Sequence, residues 1–174
     1  MTDEQLRYPI GKFTPPQTYL QEDLTRWIDE IHTLPGRVRN AITTLTDQQL
    51  DTQYRPGGWT LRQVVHHLAD SHMNSLMRFK LALTEDNPTI RPYDEAGWAI
   101  LPDYHLPVES SLKMLEGIHQ HLVALFESFT EDQWDITFVH PATGNVTPLK
   151  KNLAIYAWHG NHHLAHLTET IKTF

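Results

Sequence analysis

No cysteine occurs anywhere in the 174 residues. Disulfides, thiolate nucleophiles and cysteine-bound zinc are therefore excluded, and any metal must be held by nitrogen and oxygen. A basic cluster is missing as well, because 14 lysines and arginines lie scattered among 21 acids for a formal net charge of −7. That disfavours nucleic acid, whose backbone is met by grouped lysine and arginine. It also disfavours an anionic lipid surface, since no segment pairs a basic face with an apolar one. No apolar run approaches the roughly 20 residues needed to cross a bilayer. The opening MTDEQLRYPIGKF carries acids where a secretory signal needs positive charge. The expectation is a cytoplasmic protein with a small-molecule substrate, no nucleic-acid partner and no membrane partner. The length suits one domain, residues 1–174, able to bury a core without staples.

Histidine is what the chain has in quantity. Twelve imidazoles are a compositional hint of metal or proton chemistry, although His32, His105 and His119 sit in ordinary contexts and read as solvated. Punctuation divides the chain into four long helical stretches. The first spans about Thr18 to Thr44, with Pro35-Gly36 as a kink or break. A short helix capped by Thr46 follows, and the Pro56-Gly57-Gly58 loop resets direction. The second long helix opens at Thr60, with Gln63 completing a capping box, and reaches about Thr84. From Pro88 to Pro107 the chain is irregular, with room for one short helix near Glu95 to Leu101, and could roof a pocket with Tyr93, Trp98 and Tyr104. The third long helix runs from Pro107 to about Phe129 with Leu112, Leu115, Ile118, Leu122 and Leu125 on one stripe. Thr130 caps a turn, and His140 to Asn145 reads as a turn between two short extended pieces. The last helix begins near Thr147, with Pro148 at its first position, and runs to about Lys172. Four long helices with little strand signal predict an all-α four-helix bundle with short extra helices and loops.

Chemistry concentrates in HHLADSH (66–72) and WHGNHHLAH (158–166). Residues four apart on a helix lie about 40° apart around the axis and roughly 6 Å along it. His159 and His163 therefore stack, the spacing by which one helix offers two imidazoles to one ion. Gly160 stands where H-E-x-x-H would require glutamate, so this is not that metalloprotease motif. Both histidines lie on the flank of the apolar stripe of their helix, and His67 has the same flanking position on the second helix. An H-x-x-x-H pair on its own is more often packed or exposed than metal-bound. Periodicity places His72, rather than His67, inside the stripe, and it leaves the two in competition. His66 and His162 point away and read as surface residues. His166 shares the face of His159 as a fourth ligand or a partner to one.

The chain resembles the DinB-like four-helix-bundle proteins, and more narrowly the YfiT group of metal-dependent hydrolases. The matching segments are YPIGKF, GGWTLRQVVHHLADSHMNSLMRFKLALTED, PTIRPYDEAGWAILPD and YAWHGNHHLAH. Together they span nearly the whole chain. Carried over motif by motif, the resemblance implies His67, His159 and His163 as metal ligands. It further implies an up-down-down-up bundle, a homodimer, and one divalent ion per chain, zinc or nickel. The implied activity is hydrolysis, or transfer of a low-molecular-weight thiol to an electrophile. The lack of cysteine fits, because the thiol would be the cosubstrate.

Three neutral imidazoles would leave an ion its full charge and an open position, the pattern of a catalytic rather than a structural site. No side chain is singled out as general base. Asp70 could orient a ligand or be a surface acid, and Ser71 and Asn74 share the His67 face. A binding module without turnover, and a bundle acting only through its dimer surface, are the alternatives to an enzyme.

Overall fold

The computed structural model describes residues 2–174. In chain order these are α1 (Asp3–Arg7), α2 (Gln21–Ile42), α3 (Asp47–Leu50), α4 (Leu61–Thr84), α5 (Glu95–Trp98), a 3₁₀ turn (Pro102–His105) and α6 (Glu109–Ser128). A second 3₁₀ turn (Glu131–Asp135), strands β1 (Thr137–His140) and β2 (Asn145–Pro148), and α7 (Leu149–Ile171) complete the chain. Helices α2, α4, α6 and α7 form the bundle. Pairings along their lengths give their directions. His66 meets Ser111 and Phe79 meets Phe126, so α4 and α6 run parallel. His67 meets His163 while Arg78 meets Tyr156, so α4 and α7 are antiparallel. Ile31 meets His119 and Arg39 meets Glu109, so α2 opposes α6. The result is the expected all-α bundle in up-down-down-up order.

Local chemistry sets the boundaries. Thr60 accepts from the Gln63 amide while the Gln63 side chain accepts from the Thr60 amide, a complete capping box that starts α4. Thr46 with Gln49 repeats it, and at Thr130 the Gln133 side chain accepts from the Thr130 amide. Thr2 with Gln5 builds α1 in the same way, a helix too short to show a hydrophobic period. Pro148 caps α7 from outside rather than occupying its first position. At the hairpin between β1 and β2, Gly144 has φ +66°, a left-handed conformation that glycine adopts without steric cost.

The expected break at Pro35-Gly36 is not there, and α2 continues through both residues. A proline removes the N–H that would bond the carbonyl four residues back, here that of Ile31. His119 Nδ1 on α6 reaches this carbonyl at 2.5 Å. The orphaned acceptor is satisfied from a neighbouring helix, and the helix has no need to end. His119, expected to be solvated, is consequently buried at 2% exposure.

The core has two parts. One gathers Leu24, Ile31, Phe79, Leu122, Phe126 and Leu153. The other gathers Leu34, Val38, Leu68, Leu112, Leu115 and Leu167. On α4, His72 and Ser75 fall between Leu68 and Phe79, and on α6 His119 falls between Leu115 and Leu122; all three polar residues are buried. A polar layer thus separates two apolar ones. Segment 88–107 lies across α4 as a strap. It is tied at its start where the Ile90 amide donates to the Val139 carbonyl at 3.0 Å. At its far end the Tyr104 hydroxyl donates to Asp70 at 2.7 Å. No helix among the described residues is long and apolar enough to cross a membrane.

Candidate metal centre

The capping box at Thr60 fixes where α4 starts, and so which way His67 points. One and two turns further along the same face come Asp70, Ser71 and Asn74. On α7 the pair His159 and His163 is brought close by Gly160. A Cβ at that position would press into Leu34 Cδ2, with Leu34 Cδ1 and Cγ at 3.4 Å, so the glycine permits the near approach of α2 and α7.

These placements bring His67, His159 and His163 together, with one ring nitrogen from each lying within 4.8 Å of the others. His67 Nε2 and His159 Nε2 are 3.2 Å apart. Trp59 covers the group, tilted over His67 at 4.6 Å and stacked towards His163 at 6.3 Å. Burial, reinforced by the neighbouring imidazoles, lowers the pKa of His67 to about 4 and those of His159 and His163 well below the ordinary value. All three are therefore neutral near pH 7, with a lone pair to offer.

The proton positions at His163 follow from its neighbours. A backbone carbonyl can only accept, so at 3.2 Å from the Arg7 carbonyl His166 Nε2 carries the hydrogen. His166 Nδ1 is then an acceptor, and His163 Nδ1, 3.3 Å away, donates to it. His163 Nε2 is left bare. His166 thus orients His163 and ties it to the end of α1. A second grouping, His162, His163 and His166, also has nitrogens within 4.8 Å, but the bonds of His166 commit it to this orienting role.

A divalent ion fits this donor set. Two facing Nε2 atoms at 3.2 Å match the spacing of neighbouring nitrogens on a tetrahedral ion with bonds of about 2.0–2.1 Å. His67 Nδ1 is buried without a partner among the described residues. No carboxylate joins the grouping, so the ligands would bring no negative charge.

The other candidate residues have different places. His72, favoured by periodicity as the buried histidine of α4, is fully buried behind His159, whose Nδ1 lies 3.3 Å from His72 Nε2. His66, expected at the surface, is buried because α6 and the strap end cover it; its Nδ1 pairs with Ser111 at 2.7 Å and its Nε2 with the Leu106 carbonyl at 3.1 Å. His162, also expected at the surface, is buried by stacking on Trp158 at 4.7 Å with Tyr8 beside it at 5.9 Å. Asp70 accepts from Tyr104, and burial raises its pKa. Asn74 donates to the Asp70 carbonyl. Tyr93 packs on Trp98 at 4.4 Å, and both line a cavity of about 170 Å³ under the strap together with Asn74 and Arg78. A larger cavity of about 720 Å³ lies behind His166 and is bounded by Leu6, Tyr54 and Thr170.

Comparison with known proteins agrees with this architecture. A protein from Bacillus cereus (strain 03BB102) is 54% identical over 167 residues, covering 96% of each chain, and carries the name "Putative metal-dependent hydrolase". A protein from Oceanobacillus iheyensis with the same description is 49% identical over 166 residues, covering 95% of this chain and 96% of that one. Among solved structures, YfiT from Bacillus subtilis, described as a probable metal-dependent hydrolase with an unusual four-helix bundle topology, superposes with a TM-score of 0.94 at 45% identity and 97% coverage of both chains. The DinB superfamily profile matches residues 30–167. With most of its length matched and its bundle shared, the chain belongs to the DinB superfamily.

Proposed function

We propose that this protein is a metal-dependent enzyme that hydrolyses a small molecule or transfers a low-molecular-weight thiol to an electrophile, with His67, His159 and His163 holding one divalent ion, zinc or nickel. The observation that carries this reading is the convergence of three neutral imidazoles from two helices on one point, His67 and His163 buried and His159 partly so. When bound, such an ion supplies Lewis acidity and lowers the pKa of a water or thiol that joins it.

The chain's own residues do the rest. His67 and His159 present their Nε2 atoms to a common point, and His163 is held in the matching orientation through His166. Trp59 excludes water from one side. On the other side the α4 face carries Asp70, Ser71 and Asn74 towards the strap, giving polar contacts with which a substrate can be oriented. Because the donor set lacks a carboxylate, its field favours an anionic nucleophile.

Metal analysis and rate measurement together test the reading. Protein purified without chelator is expected to hold one equivalent of ion per chain, and His163→Ala to hold none. Metal-loaded protein, offered thiols with electrophiles and simple esters, is expected to show a metal-dependent rate that His67→Ala abolishes. Unchanged metal uptake in His163→Ala would remove the site. Full metal occupancy with identical rates in the His67→Ala variant would remove the enzymatic claim.

A further inference from the structure

Behind His159 lie two imidazoles in neither metal grouping. His72 and His119 are both buried, at 0% and 2% exposure. Their hydrogen bonds form one unbranched chain. The Ile31 carbonyl, freed by Pro35, lies 2.5 Å from His119 Nδ1. His119 Nε2 lies 2.9 Å from His72 Nδ1, and His72 Nε2 lies 3.3 Å from His159 Nδ1. The chain takes one link from each bundle helix: α2, α6, α4 and α7.

The first link dictates the rest. A carbonyl cannot donate, so His119 Nδ1 carries hydrogen and, in a neutral ring, Nε2 accepts. His72 must then donate through Nδ1 and accept through Nε2. His159 must in turn donate through Nδ1, which leaves its Nε2 bare and facing His67 Nε2 at 3.2 Å. The opposite assignment would set two N–H groups or two lone pairs against each other at one or more links. It would also leave the buried Ile31 carbonyl unsatisfied.

We propose that His72 and His119, anchored on the carbonyl that Pro35 frees, are positioning residues that fix His159 in the tautomer and orientation required to ligate an ion through Nε2. This rests on His159 being a ligand. A proton conduit is a poorer description, because the chain ends on a buried carbonyl that can neither supply nor pass on a proton. Outer partners of this kind in metal proteins are commonly a carboxylate or a carbonyl. Here the acceptor is imidazole twice over, so orientation is gained without adding negative charge to the site.

The tautomers are readable directly. In metal-free wild-type protein, long-range proton–nitrogen NMR spectra are expected to show His119, His72 and His159 each protonated on Nδ1 and bare on Nε2. Finding any of the three protonated on Nε2 alone overturns the proposal whatever the variants do. His119→Leu is then expected to give mixed His159 tautomers and to weaken zinc binding, measured by chelator competition, by about 10- to 100-fold. His119→Gln, which retains one donor and one acceptor, is expected to recover most of that affinity. Equal zinc affinity in wild type and a folded His119→Leu would overturn the positioning role. Neither readout requires turnover. The wild-type spectrum also stands if no ion binds, so failure here and failure of the proposed function are distinguishable.

Discussion

Acid should collapse this bundle within a narrow window when no ion is bound. Burial first, and neighbouring imidazoles second where they contribute, hold His67 and His119 at about 4 and His72, His159 and His163 well below the ordinary value. An unfolded imidazole titrates near 6.5, so at about pH 5.5 it carries about 0.9 proton while its folded counterpart carries almost none. Between about pH 6.5 and 4 the unfolded state therefore binds more protons, and stability falls as pH falls. These five alone give an uptake of about four to five protons and a slope on the order of 6 kcal/mol per pH unit, and His162 and His166, also lowered to about 4 by burial, add to both. Domains of this kind are stable by about 5–15 kcal/mol, so one to two pH units suffice to unfold them. Chelator-treated protein followed by far-UV circular dichroism should lose its helix cooperatively between about pH 6 and 4.5. Calorimetric unfolding at about pH 5.5 in two buffers of different ionisation enthalpy should count the protons. On the proposed function the site exists only in the folded form, so saturating zinc should move the midpoint to lower pH. Helix retained to about pH 4, or an uptake below about two protons, would refute the reasoning.

Gly160→Ala gains about 1 kcal/mol of helix propensity but overpacks Leu34 at a cost of about 1–3 kcal/mol, so the variant should melt lower, and Leu34→Ala in the same chain should relieve the clash. A Gly160→Ala protein more stable than wild type would contradict the close approach of α2 and α7. Arg62 donates to Asp51 and Asp47 at 2.7 Å each, and both acids are largely exposed. Solvent screening limits the loss in Arg62→Ala to about 1 kcal/mol, to be read as a fall in Tm of a few degrees. Tyr104→Phe removes the hydroxyl that stabilises ionised Asp70. The Asp70 pKa, followed by carboxyl carbon NMR, should rise further; an unchanged value would show that the hydrogen bond is not formed in solution.

Where backbone chemistry is local, the sequence is informative. Thr46, Thr60 and Thr130, each with a glutamine three residues on, signal starts that the structure reproduces. His159 and His163 share a face through their spacing alone. His67 needed the family resemblance, because hydropathy periodicity favours His72 as the buried residue, and His72 is indeed buried, behind the site. His119 was within reach: it lies four residues after Leu115 and three before Leu122, on the apolar stripe, but a polar residue there is unremarkable until its partners are known. Those partners, Ile31 and His72, are 88 and 47 residues away in sequence. Pro35 reads as a break for the same reason. A proline ends a helix when its orphaned carbonyl has no other donor, and the donor here comes from α6. His162 reads as a surface residue because Tyr8, which lies beside it, is 154 residues away in sequence and carries no periodic signal.

The polar layer between the two apolar clusters bears on which fold the chain adopts, beyond how stable that fold is. Helices packed through leucine alone can slide past one another by a turn, about 5.4 Å, and still bury similar surface. Here a slide of one helix would set His72 or His119 against leucine or phenylalanine and strand several buried donors and acceptors at once. Shifted registers are thereby penalised at a single level in the bundle. The imidazoles select one alignment of four helices from several that hydrophobic burial would tolerate, and the alignment selected is the one in which His67, His159 and His163 meet.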